Sequence, residues 1–252
     1  ITLGTGVSNG ATDAEATATG GVLTVGGENG ASIVVTLTGQ SGAISKTVTG
    51  TGGADAIAIT EAEVDTLGEG TVVVSASQTD AAGNAQTVAA ASASFSIDTV
   101  ISAPSINAIA TDNKANKAES QAGFNITGKG EVGATVTLTL SSNTTLASGN
   151  TAVVGADGNW SVAIAAADIA NMAEGAEVII AKQVDVAGNI SADSVASTLT
   201  VDTIAPSAPV LALGSGITGG ATSAEAIANT GVVTVTGEAD ASIVVVFTGQ
   251  SG

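Results

Sequence analysis

The chain has no cysteine, no histidine and no tyrosine, and its 252 residues include only three prolines, three phenylalanines, one tryptophan and one methionine. Without cysteine there are no disulfides and no thiolate metal centres. Without histidine the commonest general base and the usual zinc ligand are missing as well, so any catalysis would have to rest on carboxylates, and a non-enzymatic role is expected. Aromatic residues, at 2%, are too few for a sugar-binding platform. Basic charge is equally scarce. Five lysines and no arginine face 23 acidic residues, a formal net charge of −18. Such a surface repels phosphate backbones and anionic lipid heads, which argues against nucleic acid and direct membrane insertion as partners and favours cations. No apolar run approaches the length of a membrane span, and no basic segment followed by an apolar one opens the chain. It begins at Ile1, not Met, from which a piece of a longer protein is expected.

What is present is repetition. Residues 211–252 align without a gap to residues 1–42, and 26 of the 42 pairs are identical. A more divergent copy lies between them: GEVGATVTLTL at 130–140 echoes GENGASIVVTL at 27–37, and STLTVDT at 197–203 echoes ASFSIDT at 93–99. The unit is about 105 residues, which divides the chain into repeats at 1–99 and 100–203 and a partial repeat, first strands only, at 204–252. Pro104, Pro206 and Pro209 all fall where repeats meet, and proline interrupts both helices and sheet ladders. They mark short, stiff linkers. Half a sandwich would leave an open edge and a bare core, so the parent chain is expected to continue after Gly252 with residues resembling AISKTVTGTG.

Within a unit the pattern is that of short strands. GVLTV (21–25), SIVVTLTG (32–39), TVVVSASQ (71–78) and SASFSID (92–98) are rich in Val, Ile and Thr, and most are bounded by Gly, Asn or Asp. Helical spacing is confined to ITEAEVDTLGEG (59–70) and its counterpart IAAADIANMAEG (164–175), one short turn crossing between sheets. GTGG (50–53) is read as a hairpin, and Trp160 as part of the core. About seven strands in about 100 residues predict an all-β chain of tandem immunoglobulin-like β-sandwich domains in a linear array.

The ordered motifs DNKANKAE (112–119), GATVTLTL (133–140), ADGNWSV (156–162), DVAGN (185–189) and TVDTIAPSAP (200–209) resemble the bacterial Ig-like repeats in the extender regions of giant type I-secreted (RTX-type) biofilm adhesins. The resemblance covers the whole chain. The first unit departs from it, with GADAIAI (53–59) in place of ADGNWSV and TDAEAT (12–17) in place of the Asp-Asn pair. The resemblance implies an extracellular, bacterial cell-surface spacer stiffened by calcium. Its partners would be neighbouring repeats of the same chain, with the host or surface ligand bound elsewhere in the parent protein.

Calcium also follows from strand order. In such a sandwich the first loop lies at the end where the last strand exits, and the loop between the last two strands lies at the opposite end. Glu15, Glu119 and Glu225 fall in first loops, Asp80–Asn84 and Asp185–Asn189 in last loops, and Asp98 and Asp202 close the last strands. Stacked end to end, unit one would present Glu15 and Asp98 to Asp185 and Asn189 of unit two. Converging carboxylates repel unless a cation joins them, and Ca2+ accepts about 6–8 oxygens in tolerant geometry. Asp112, with Asn113 and Asn116, is a further candidate. Two readings of DxAGN stand, because Asp heading a turn and Gly at positive φ make a turn with or without an ion. A self-assembling filament, a carbohydrate-binding accessory module and a carboxylate enzyme remain as alternatives.

Overall fold

The structure, a computed structural model, describes residues 1–227 and 231–249. The first unit runs β1 (Thr2–Leu3), α1 (Asp13–Ala16), β2 (Leu23–Gly26), β3 (Ser32–Thr38), β4 (Ala43–Thr49), β5 (Ala54–Ile57), α2 (Glu61–Leu67), β6 (Gly70–Thr79) and β7 (Ala91–Ile97). Its sheets have the orders β1-β2-β5 and β4-β3-β6-β7. The second runs β8 (Ser105–Ile106), β9 (Lys114–Asn116), α3 (Lys117–Ala122), β10 (Phe124–Lys129), β11 (Thr135–Leu140), β12 (Thr151–Val153), β13 (Asn159–Ile164), α4 (Ala166–Ala170), β14 (Gly175–Val184) and β15 (Ser197–Asp202). Here the orders are β13-β10-β8 and β12-β11-β14-β15-β9. All ladders within these sheets are antiparallel except β15 with β9, which pair in parallel through Thr200↔Lys114, Val201↔Ala115 and Asp202↔Asn116. In the first unit the same relation survives as one parallel bridge, Ala11↔Ile97.

The two-residue period of the strands accounts for the core. Along β3, Ile33, Val35 and Leu37 are buried while Ser32, Val34 and Thr38 face out. Val72, Val74 and Ala76 of β6 and Phe95 and Ile97 of β7 complete that side. Buried residues form two separate clusters, one drawn from residues 7–97 and the other from residues 109–201. Trp160 lies in the second, as expected, with its indole N–H donating to the Lys129 carbonyl at 3.1 Å. The helical turns foreseen at 59–70 and 164–175 are α2 and α4; Val64 and Leu67 of α2, and Ile169 of α4 with Met172 just after it, are buried against the core of their unit.

One expectation fails. GTGG is not a hairpin, because β4 pairs with β3 and β5 with β2, so the loop carries the chain from one sheet to the other. Gly-rich turns serve sheet crossovers as readily as hairpins, and the residues alone do not say which strand pairs follow.

In the last stretch, β16 (Val210–Leu213) pairs with β17 (Val233–Thr236), with α5 (Ser223–Ala226) between them. Residues 242–248, the counterpart of β3, form no strand. In the first unit β3 is held on both sides, by β4 and β6, whose counterparts are not among these residues. Among the described residues no helix is long and apolar enough to cross a membrane.

Candidate metal centre at the junction

The DxAGN turn is wired alike in both units except for one backbone donor, Gly188 in one and Ala82 in the other. Asp185 Oδ1 accepts the backbone N–H of Gly188 at 2.6 Å and of Asn189 at 2.8 Å, and its Oδ2 accepts from Asn189 Nδ2 at 2.9 Å. Asp80 does the same with Ala82, Asn84 and the Asn84 amide, at 2.9, 2.7 and 2.7 Å. Gly188 and Gly83 hold φ of 112° and 92°, which side chains disfavour. The turn is thus a stable structure in its own right. The two copies differ in what covers them. Asp185 and Ala187 are buried, whereas Ala82 and Asn84 are exposed, because the end of the first unit packs on the second turn.

That packing joins the units. Asn9 Nδ2 donates to the Val186 carbonyl at 2.8 Å, and Asn189 Nδ2 donates to the Asp98 backbone carbonyl at 2.7 Å. Gly10, at φ 110°, sits so close that a Cβ would lie 3.2 Å from the Cβ atoms of both Ala187 and Asp98. The contact draws three carboxylates together: Asp98 after β7, Asp185 after β14 and Glu131 in the β10–β11 turn have oxygens all within 4.8 Å of one another. Burial, then the Asp185 and Glu69 carboxylates, push Asp98 above the ordinary aspartate range. Burial, then Asp98 and Asp185, push Glu131 up likewise. Three carboxyl groups gathered this closely form a pocket suited to a cation. The Asn189 amide beside them turns its nitrogen toward Asp98 and Asp185.

Of the residues singled out from sequence, Asp98, Asp185 and Asn189 are brought together and Glu15 is not. The Glu15 carboxylate accepts from the N–H and hydroxyl of Thr12 at 3.1 and 3.0 Å, a capping box at the start of α1. Glu119 and Glu225 play the same part for Asn116 and Thr222 at the starts of α3 and α5. Asp80 and Asn84 lie at the opposite end of the first unit, in their own turn. Asp112 accepts from the Lys114 N–H at 3.0 Å, and Asn113 Oδ1 from that of Ile109 at 2.8 Å, with Asn113 at φ 63°. Asp202 closes β15, exposed, as the positional counterpart of Asp98. Among the described residues, the group of Asp98, Glu131 and Asp185 is the one that brings three such ligands together.

Glu131 was missed from sequence, although its signal was legible: GEVGA (130–134), GENGA (27–31) and GEADA (237–241) keep a glutamate in the same turn of all three repeats. A second recurring glutamate guards the other side of the linker. Glu69 accepts from the N–H of Thr99 at 3.1 Å and from its hydroxyl, and Glu174 accepts from the N–H of Thr203 at 3.0 Å and from its hydroxyl.

Comparison with known proteins gives a bacterial Ig domain family over residues 110–202. A bacterial immunoglobulin-like domain from the M. primoryensis ice-binding adhesin is 30% identical, covering 41% of this chain and 100% of its own, with a TM-score of 0.31. A 1.5-MDa bacterial ice-binding adhesin is 25% identical, covering 82% of this chain and 66% of its own, with a TM-score of 0.42. A Ca2+-stabilized adhesin of an Antarctic bacterium is 26% identical, covering 77% and 46%, with a TM-score of 0.37. The chain therefore spans less than two thirds of either of these longer structures. No curated protein matches it. Residues 110–202, the body of the second unit, thus match the bacterial Ig domain family.

Proposed function

We infer that the chain is a stretch of extender from a bacterial cell-surface adhesin, with repeats at 1–99, 100–203 and 204–252 stiffened by calcium at their junctions. The observation that carries this is the convergence of Asp98, Glu131 and Asp185 across the linker, two of them from one unit and one from its neighbour. Asp98, Glu131 and Asp185 would supply carboxylate oxygens, and Asn189 an amide oxygen once its side chain turned over, since its nitrogen now faces Asp98 and Asp185. A bound calcium would supply the positive charge that offsets their mutual repulsion, and its loose geometry would suit ligands drawn from two bodies. Magnesium is a poor substitute, because it demands tight octahedral geometry and sheds water reluctantly. The role is structural, at the bacterial surface, where such a rod would hold a ligand-binding tip away from the cell in adhesion and biofilm formation. Its partners are the neighbouring repeats. Isothermal titration of the full chain with calcium, against Asp98→Asn with Asp185→Asn, tests it: the wild type should bind with heat that the double variant lacks. A wild type that takes up no calcium at millimolar concentration would sink the reading.

A further inference from the structure

The linker between the first two units, residues 99–103, is held from both sides. On the first unit Thr99 is clamped by Glu69. On the second, Gln183 Nε2 donates to the Ser102 carbonyl at 2.8 Å, and Ile101 packs against the second core. Gln183 is 1% exposed, a buried amide in β14, and its other end is also engaged: Oε1 accepts the backbone N–H of Glu131 at 3.1 Å. Its own backbone is fixed by Ser191, whose hydroxyl accepts the Gln183 N–H at 3.0 Å and whose N–H donates to the Gln183 carbonyl at 2.9 Å. Gly130 gives it room, since a Cβ there would come within 2.5 Å of Gln183 Oε1.

One buried side chain therefore ties the linker that follows Asp98 directly to the turn that carries Glu131, ahead of the β8–β10 pairing that begins at Ser105 and Lys129. Asp98 lies one residue before the Thr99 clamp. The first unit repeats half of this arrangement. Gln78 Oε1 accepts the N–H of Glu28 at 2.9 Å, the counterpart of the Glu131 contact. We propose that Gln183 is the positioning residue of the junction: it docks the linker on the second unit and thereby sets Glu131 opposite Asp98. The second half of this rests on the calcium reading above; the first does not. A buried amide bonded at both ends resists displacement, because releasing either partner strands a polar group away from water.

The test uses the full chain with Gln183→Met, which keeps length and removes both bonds, and Gln78→Met as the control that loses the same turn contact away from the linker. Elastase, a serine protease that needs no metal ion and so works in chelator, cuts after small apolar residues such as Val100, and fragment mass identifies cleavage there. In chelator Gln183→Met should raise linker cleavage about fivefold, the loss expected of a hydrogen bond of ordinary net strength, while Gln78→Met leaves it at the wild-type rate. In calcium, Gln183→Met should also weaken ion affinity about fivefold by the same reasoning, again unlike Gln78→Met. Wild-type cleavage of Gln183→Met in chelator, or equal effects of the two variants, would overturn the proposal. Faster cleavage with unchanged affinity would overturn the link to Glu131. A wild type that binds no calcium refutes the calcium reading, and the chelator arm still decides on the linker. Should Gln183→Met fail to fold, hydrogen exchange of the wild type serves: the Glu131 amide should exchange more slowly than that of Glu28, and exchange at the rate of an open loop would refute the docking.

Discussion

Replacing Asp98 by Asn should change stability in opposite directions with and without calcium. Asn189 Nδ2 donates to the Asp98 backbone carbonyl at 2.7 Å and only at 3.4 Å to its carboxylate Oδ1, an atom that Asn keeps, so the substitution removes charge and little else. Two unit charges 4.8 Å apart repel by about 3.5 kcal/mol at an effective dielectric of about 20, and by about 0.9 kcal/mol in water. Asp98 is half-buried and Asp185 buried, so their pair lies between these limits, whereas exposed Glu131 sits near the lower one. In chelator Asp98→Asn should therefore stabilise the chain by about 1–2 kcal/mol. In calcium the wild type gains about 2.7 kcal/mol at a hundredfold excess over Kd, and the variant forfeits much of that gain. For units of about 100 residues, each kcal/mol shifts the melting temperature by about 4–8 °C. Calorimetry of the wild type and variant, each in millimolar calcium and in chelator, should show the two melting curves exchange order. If Asp98→Asn melts below the wild type in both conditions, the acids are not repelling one another and the junction is held by packing and turns alone.

In chelator the junction should also tighten on acidification. Asp98 and Glu131 are raised above their ordinary values of 3.8 and 4.5, so their contribution is fully present below those values and is lost as pH rises through the raised ones. Asp80 and Asp157 are lowered below 3.8 by their Asn84 and Asn159 contacts, so theirs is present at neutral pH and lost as pH falls; carboxyl carbon NMR shifts followed with pH should separate the two groups. Gly10→Ala should weaken the junction more than Gly220→Ala, because both bear the strain of φ near 110°, about 1 kcal/mol, but only Gly10 faces a neighbour, at Ala187; scattering should show a broader angle between units for Gly10→Ala alone. Glu15→Gln keeps a capping side chain on α1 and should leave calcium affinity within about twofold of the wild type by titration, whereas a tenfold loss would make Glu15 a ligand. The chain should turn over no peptide, ester or polysaccharide; activity that disappeared with one carboxylate would refute the structural role.

The sandwich was legible because its information is local and periodic. Alternation in SIVVTLTG dictates which face of β3 is buried whatever it pairs with, and Val64 with Leu67 marks a helical turn by spacing alone. The GTGG loop was not legible, because the pairing of β4 and β5 depends on strands distant in sequence. The acids show the same division. Asp98 and Asp185 could be placed at facing ends from strand order, whereas Glu131, legible only as a repeated glutamate, reaches them through the β10–β11 turn, where the chain changes sheets. Glu15, Glu119 and Glu225 attract notice as acids in a loop, yet each stands three residues after a Thr or Asn, the pattern of a capping box. Four- to six-residue helices are too short to reveal themselves by hydrophobic period, so the cap was the only local clue.

In each unit the last strand pairs in parallel with a segment that follows the unit's opening strand, and this has a mechanical consequence. Lys114–Asn116 runs alongside Thr200–Asp202, and Ala11 alongside Ile97, so a pull on the two ends of a unit draws these segments past one another lengthwise. The bonds between them then bear the load together, as a lap joint does, instead of opening one at a time like a zipper. In the first unit those bonds are Ala11 N–H to the Ser96 carbonyl at 2.7 Å and Asp98 N–H to the Ala11 carbonyl at 3.0 Å. The outermost is made by Asp98 itself, so an ion gripping that residue's carboxylate would brace the joint at the point where tension from the next unit arrives.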